Sequence, residues 1–291
     1  MITVFTPTYN RAYTIDRLYR SLLLQTDNNF EWIVVDDGST DNTQEYFAEI
    51  LKKENPFSIT YIKQENGGKH RAINRGVQIA RGEMFFIVDS DDYLIEDAIE
   101  KIIGWRNGLD ASRKWAGVSG ARGYSVDKCI GGNGGGNAYI DALNTDRDKF
   151  NLGGDKAEVY FTDILRMYPF PEFDGENFIT EEVVWNAIAY DGYCLRWYKD
   201  IIYITDYLDD GLTKSGNSKY VNNPQGVLYW ARLQLKVFPH NIKKKFIAVN
   251  RYYESVKEKL KLKCIACDLG VSVCFCRCAV LAAKIKRLFI K

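Results

Sequence analysis

No chain-wide cysteine framework runs through this sequence. Its seven cysteines are an odd number, and five of them crowd into 264–278. That excludes a disulfide-stapled secreted scaffold and fits a reducing cytosol. Nor is there a basic stretch followed by an apolar run at the start, where Met1 leads straight into ITVFTPTYN, so no signal peptide is expected. Internal repeats and low-complexity linkers are absent. Net charge is nearly absent too, with 39 Lys+Arg against 38 Asp+Glu. In the first half there is no Ser/His/Asp set, no Walker loop and no zinc-type His/Cys spacing. The glycine-dense stretch KCIGGNGGGNAY (128–139) is a loop, either a mobile surface loop or a lid. It is not a dinucleotide fingerprint, because Asn137 stands at the third glycine position.

What is present is ordinary globular material. Hydrophobic residues make up 46% and charged residues 26% of 291, which excludes a disordered chain and suffices for one large domain or a domain with an appendage. The near-zero net charge conceals a partition. Residues 243–291 carry 13 Lys/Arg and 3 Asp/Glu, while the remainder carries 26 against 35. An acidic body with a basic tail points to an anionic partner for the tail, either a membrane surface or nucleic acid.

Along the chain, ITVFT (2–6), WIVVDDGS (32–39), ITYIK (59–63) and MFFIV (84–88) read as strands. Helices are expected from Ile15 through Leu18, Leu22 and Leu23, from the caps Thr40, Asp41 and Asn42 to near Lys53, over 69–80, and over about 95–106. This alternation predicts an α/β fold with a mostly parallel sheet covered on both faces, where ligands bind beyond the carboxyl ends of the strands. Further on, 180–192 reads as a helix capped by Thr180, 194–208 as a strand, and 225–263 as helical and increasingly basic.

Every polar motif of the first half falls at a strand's carboxyl end. Asp89-Ser90-Asp91-Asp92 gathers carboxylates that raise one another's pKa unless a cation sits among them. Hard oxygen ligands at an open site suit Mg²⁺ or Mn²⁺, with a helix N-cap cluster as the alternative. Asp36 or Asp37 can accept from a ribose hydroxyl or a base N–H, or can form an Asx turn. Lys69 and Arg71 are placed to neutralise phosphate, with solvated surface charge as the alternative, and His70 beside them reads as structural, with a direct metal or phosphate contact as the alternative. Glu181 and Glu182 open a helix, where they serve either as dipole-favoured caps or as a general base. A metal–phosphate site is the coherent chemistry that remains.

Together TPTYNR, VVDDGSTDNT, ENGGKHRAINRGVQIARGE, VDSDDYL and FITEEVVWNAIA resemble glycosyltransferase family 2. The resemblance implies a GT-A fold over residues 1–222, with a nucleotide-sugar half (about 1–108) and an acceptor half (about 109–222), followed by a helical, basic, cysteine-rich extension over 223–291. It implies inverting transfer of a sugar from a nucleoside-diphosphate sugar, UDP by preference, to a glycan or lipid-linked hydroxyl in polysaccharide biosynthesis. Thr6, Pro7 and Tyr9 would cradle base and ribose, and Asp37 would bond the base. Lys69, Asp89 and Ser90 would complete the donor site. Asp89 and Asp91 would form the DxD motif with Mn²⁺ or Mg²⁺, Asp92 being auxiliary, and Glu181 or Glu182 would be the base. The rivals are a nucleotidyltransferase acting on sugar phosphates, which would need a glycine-rich basic loop where TPTYNR stands, and a catalytically inactive nucleotide-sugar-binding scaffold.

In the tail, CIACDLGVSVCFCRCAVLAAKIKRLFIK is interrupted by Asp268 and Arg277, against a transmembrane span. It reads as a basic amphipathic segment on an anionic inner leaflet, the alternative being a helix packed back on the body. Its cysteines make a poor tetrahedral zinc set. No nucleic-acid partner is expected, and the cytoplasm, at the inner face of the membrane, is the expected location.

Overall fold

The computed structural model describes residues 1–205, 216 and 218–289. The chain divides into two compact units, Met1–Pro169 with Ile188–Asp209, and Phe170–Ala187 with Asp210–Lys291.

The first unit begins with the expected alternation: β1 (Ile2–Thr8), α1 (Ile15–Leu23), β2 (Phe30–Asp36), α2 (Thr43–Ile50), β3 (Ser58–Lys63), α3 (Lys69–Ile79) and β4 (Met84–Ile87). These strands stand in the order β3-β2-β1-β4 and pair in parallel, with Ile2 opposite both Phe30 and Met84. β1, β2 and β4 are buried along their whole length. That burial on two faces is why they read as unbroken apolar runs, whereas the edge strand β3 is exposed at both ends and half-buried between them. On one face Trp32 packs between Tyr19 of α1 and Phe47 of α2 and donates its indole N–H to Thr6 Oγ1 at 3.0 Å. On the other face Phe5 stacks on Phe85, and α3 crosses so closely that a Cβ on Gly76 would lie 2.2 Å from the Phe5 ring.

Beyond β4 the sheet becomes mixed. β5 (Tyr93–Leu94), α4 (Ala98–Asn107), β6 (Trp115–Ser125), β7 (Lys128–Cys129), β8 (Tyr139–Ala142), a 3₁₀ turn at Asn144–Phe150, β9 (Lys156–Phe161), α5 (Thr162–Met167), α6 (Glu182–Tyr190) and β10 (Cys194–Ile204) follow. β9 pairs antiparallel with both β4 and β6, while β10 runs parallel to β6. The helix expected from about 95 starts at Ala98 because Tyr93 and Leu94 are taken up as a two-residue strand against Ile204 and Tyr203. The strand expected over 194–208 is seen to Ile204; 206–208 lie outside the described residues.

The second unit is helical: α7 (Ser218–Val221), α8 (Pro224–Val237), α9 (Ile242–Val256), α10 (Leu262–Leu269) and α11 (Val273–Phe289), with the segment from Phe170 tied to it. Pro224 opens α8, where its missing N–H is no loss. The Glu176 carboxylate takes the exposed N–H groups of Gln225 and Gly226 at 2.7 and 2.8 Å, a negative group on the positive end of the helix.

One buried carboxylate fastens the lower edge of the first unit. Glu31, 1% exposed, accepts from Thr3 Oγ1, from the Arg81 N–H and Nε, and from the Gly82 N–H. Burial alone would raise its pKa; these donors and the Arg81 charge outweigh it and hold the pKa below the ordinary value. A lowered folded pKa means that this stability is fully present above the unfolded pKa and is lost as pH falls through the folded one. Glu31→Gln is therefore expected to cost about 2 kcal/mol at neutral pH. It should also flatten the loss of stability below pH ~4.3. Urea unfolding at neutral and acid pH measures both effects.

Candidate functional site

Three loops at the carboxyl ends of β1, β2 and β3 are sewn together by their own polar groups. Asn10, at φ 52°, accepts the Thr40 N–H at 2.8 Å on its amide oxygen, and its own N–H donates to Ser39 Oγ at 2.8 Å. Asp41 takes the Ala12 N–H at 3.0 Å and the Thr43 N–H at 3.1 Å. Asp36 accepts the Ser39 N–H at 2.7 Å and the Tyr61 hydroxyl. Asp37, 5% exposed, accepts from Gln64 Nε2 at 2.8 Å and from the N–H groups of Gly67 and Gly68 at 2.9 and 2.7 Å. Gly38 permits this closeness: its φ is +84°, and a Cβ there would meet the Asn66 nitrogen at 2.9 Å.

Of the residues expected to cradle a nucleotide, Thr6 and Pro7 are buried in β1 and Tyr9 is exposed. Thr8 Oγ1, at the end of β1, is buried with no hydrogen-bond partner among the described residues.

The turn after β4 places the acidic cluster. Asp89 lies 2.6 Å from Lys69 Nζ at the start of α3 and 3.6 Å from Arg122 of β6. Burial pushes the Asp89 pKa up, but the two cations win and hold it below the usual carboxylate value. Asp92, 3% exposed, lies 3.8 Å from Arg122 and accepts the Tyr203 hydroxyl at 2.7 Å. Burial and the neighbouring Asp89 nevertheless raise its pKa well above the carboxylate range. The same Tyr203 oxygen receives the Asp89 N–H at 2.9 Å, and the Arg122 guanidinium lies 4.0 Å over the tyrosine ring. Asp91 is half-buried. Its backbone carbonyl accepts from Arg17, whose guanidinium lies 4.8 Å over Tyr93. Burial and Asp89 raise the Asp91 pKa by more than Arg11 and Lys69 lower it. Ser90 is buried within the turn.

In the second unit Glu182, the first residue of α6, has its carboxylate fully engaged. Oε1 accepts from Gln234 at 2.9 Å and Asn186 at 3.2 Å, and Oε2 accepts the Trp230 indole N–H at 2.8 Å. Glu181, half-buried, precedes the helix, and its carbonyl accepts the Val184 and Trp185 N–H groups.

The expected residues Lys69, Asp89, Asp91 and Asp92 thus come together in the first unit. The sequence reading missed Arg122 and Tyr203, which balance them. A lone arginine within the small-residue run WAGVSGARGYS of β6 was the one available signal. A divalent cation is compatible with this donor set. Among the described residues no three His, Cys, Asp or Glu side chains are grouped to hold one by themselves. Two aspartate carboxylates at a turn are, however, what Mg²⁺ or Mn²⁺ needs when substrate phosphates and water complete its shell. Burial first, and then the Asp89 charge, raise the Asp91 pKa, a direction that a bound cation would reverse.

Residues 3–111 match the family described as glycosyl transferase family 2. Over 103 residues the chain is 40% identical to the glycosyltransferase GlyG of Streptococcus pneumoniae, covering 35% of this chain and 34% of that protein. Over 100 residues it is 39% identical to the chondroitin synthase of Pasteurella multocida, covering 34% of this chain and 10% of that one. The match thus spans a third or less of these relatives' length. Among solved structures, S. aureus TarS 1–349 in complex with UDP-GlcNAc superposes with a TM-score of 0.64 at 21% identity, over 90% of this chain and 76% of that one. The mannosyltransferase PcManGT of Pyrobaculum calidifontis, in complex with GDP-Man and Mn²⁺, superposes with a TM-score of 0.55 at 18% identity, over 100% and 87%. The fold is shared with both.

Tyr203→Phe removes one oxygen that serves two partners in a buried site. It is expected to destabilise the protein by about 1–3 kcal/mol, since the Asp89 N–H and Asp92 both lose a hydrogen bond without gaining water. The shift in urea midpoint at constant slope measures it.

Proposed function

We propose that this chain, whose residues 3–111 match glycosyl transferase family 2 and which has the GT-A fold, is a member of that family and transfers a sugar from a nucleoside-diphosphate sugar to a hydroxyl of a glycan or lipid-linked acceptor, with inversion. The observation that carries the reading is the acidic turn after β4, where Lys69 holds Asp89 at 2.6 Å and Asp91 stands half-buried two residues on. A UDP-sugar is the favoured donor, because TarS, a neighbour in fold, was crystallised with UDP-GlcNAc. The setting is polysaccharide assembly at the cytoplasmic face of the membrane.

In this mechanism Asp91, with Asp89, holds Mn²⁺ or Mg²⁺. When bound, the ion supplies Lewis-acid neutralisation of the charge developing on the diphosphate. Lys69 and Arg122 fix Asp89 in its ionised form, so no proton has to leave it when donor arrives. The welded loops after β1, β2 and β3 supply a rigid wall for the nucleoside; Tyr9 is an exposed aromatic there, and Asp37 acts by holding Gly67 and Gly68. Of the two glutamates, Glu181 takes the proton from the acceptor hydroxyl as that oxygen attacks the anomeric carbon. Glu182 is a positioning residue: three donors fix its carboxylate and so fix the first turn of α6.

Calorimetry with UDP and Mn²⁺ and a hydrolysis screen across nucleotide sugars test the reading. Heat that requires the metal is expected from the native chain and absent from Asp91→Ala; equal heat in that variant overturns the metal assignment, and the absence of heat from both overturns donor binding. Glu181→Gln is expected to lower kcat about 10²–10⁴-fold with UDP affinity unchanged. Glu182→Gln is expected instead to lower the unfolding midpoint together with activity. A larger kcat loss in Glu182→Gln than in Glu181→Gln, with stability intact, would reverse the two roles.

A further inference from the structure

The last helix of the second unit has two apolar faces. One belongs to the bundle: Cys276, Ala279 and Val280 are buried, and Phe275 meets Phe246 of α9 edge-on at 5.3 Å. The opposite face is exposed and also apolar. Cys274, Cys278, Leu281, Ala282 and Ile285 all face solvent, Leu281 at 59% and Ile285 at 46%. At 3.6 residues per turn these five fall within an arc of about 100°, with Arg277 and Lys284 along one border and Lys286 along the other. All three cations are exposed.

The charge around this stripe has one sign. After Asp268 the sequence contains no Asp or Glu and five Lys/Arg. Asp268 itself is turned inward: its carboxylate accepts the Tyr252 hydroxyl at 2.7 Å and its carbonyl accepts Arg232 Nε at 2.6 Å. The acid that interrupts the segment in sequence is therefore absorbed by the bundle, and the outer face is purely cationic at its borders. Among the described residues no single helix is long and apolar enough to cross a membrane. Leu262–Leu269 and Val273–Lys286 reach that length and composition together, but are bent by 108°.

We propose that α11 is a membrane-docking helix that lies in the headgroup plane of an anionic bilayer. Leu281 and Ile285 enter the acyl boundary, the Cys274 and Cys278 thiols lie beside them as small apolar groups, and Arg277, Lys284 and Lys286 reach lipid phosphates from both borders. The charge pattern selects lipid over a second copy of the chain. Two such faces brought together would set cation against cation with no acid between them, whereas an anionic surface answers both the stripe and its borders. This surface shares no residue with the donor site and, resting on the transferase reading, adds to it a means of holding the enzyme at a bilayer.

The test uses the full chain and sedimentation with vesicles of phosphatidylcholine alone or mixed with phosphatidylglycerol. Partition onto the anionic vesicles is expected to exceed that onto the neutral ones about tenfold or more. The double variant Leu281→Glu with Ile285→Glu should lower it by about tenfold or more. Arg277→Gln with Lys284→Gln should lower anionic binding while leaving the weak neutral binding unchanged. Equal partition onto both vesicles, or unchanged binding of the Leu281/Ile285 variant, overturns the proposal. So does a self-association in sedimentation velocity that this variant abolishes in the absence of lipid. Circular dichroism and vesicle-free donor hydrolysis are followed alongside. Loss of vesicle binding with hydrolysis intact is the supporting result for the docking face, and failure of hydrolysis in both proteins bears on the transferase reading alone.

Discussion

The ionised state of Asp89 is the constraint from which the rest of the site follows. Burial at the end of β4 would by itself drive this carboxylate to protonate, as would the two acids that follow it. Lys69, brought up by the first turn of α3, and Arg122, brought across by β6, reverse that outcome. Each cation arrives from a different element, so the site exists only when the parallel half of the sheet and its mixed half are both in register. Tyr203 of β10 completes the arrangement by bonding the Asp89 N–H and the Asp92 carboxylate with one oxygen. With the two cations committed first to Asp89, burial and that neighbouring charge leave both Asp91 and Asp92 with raised pKa values. A cation placed among these carboxylates would lower both pKa values, and would in turn offer counter-charge to a diphosphate.

The loops above β1–β3 show how one residue type serves two ends. A carboxylate at a strand's carboxyl end has lone pairs to fill. They can be filled by a ligand or by the N–H groups of the neighbouring loop. Asp36, Asp37 and Asp41 fill theirs with protein donors. The loops gain rigidity from this. The backbone amides of Gly67 and Gly68 are then consumed by Asp37 and are not offered to phosphate. Any donor recognition in this region must come from the groups left over, among them the exposed ring of Tyr9 and the buried hydroxyl of Thr8.

Much of this was legible in the sequence because it is local. The four apolar runs of β1–β4 announce strands buried on two faces, and the acidic turn lies where one such run stops. The Leu18 and Leu22 spacing places α1 correctly, although Leu23, which shares that spacing, faces solvent at 39% exposure. What was hidden depends on pairing across long separations. β5 is two residues long and exists because β10 offers it an edge, 109 residues later by the Leu94–Tyr203 register. Arg122 and Tyr203 reveal their roles once β6 and β10 lie beside the β4 turn. The ambiguity between Glu181 and Glu182 has the same origin. In sequence the two are equivalent; the partners of the Glu182 carboxylate, Trp230 and Gln234 of α8, lie 48 and 52 residues further on, where no local pattern announces them.

The partition of charge between body and tail acquires a physical reading from these arrangements. In the body, the acids at the strand ends are mostly spent on holding loops or are neutralised by lysine and arginine, so the excess of negative charge there does not by itself describe a binding surface. In the tail the reverse holds. Asp268 is drawn into the bundle by Tyr252, Arg277, Lys284 and Lys286 of α11 remain at the surface, and no acid follows Asp268 in the sequence to offset them. Net charge counted along a sequence weighs both sets equally. Weighed by what each charge touches, the acids Asp36, Asp37 and Asp92 at the strand ends are internal, whereas Arg277, Lys284 and Lys286 of α11 are external. An external excess of one sign, set along an exposed apolar stripe, acts on whatever surface approaches it, and over a Debye length of about 8 Å it acts strongly on one densely covered with phosphate.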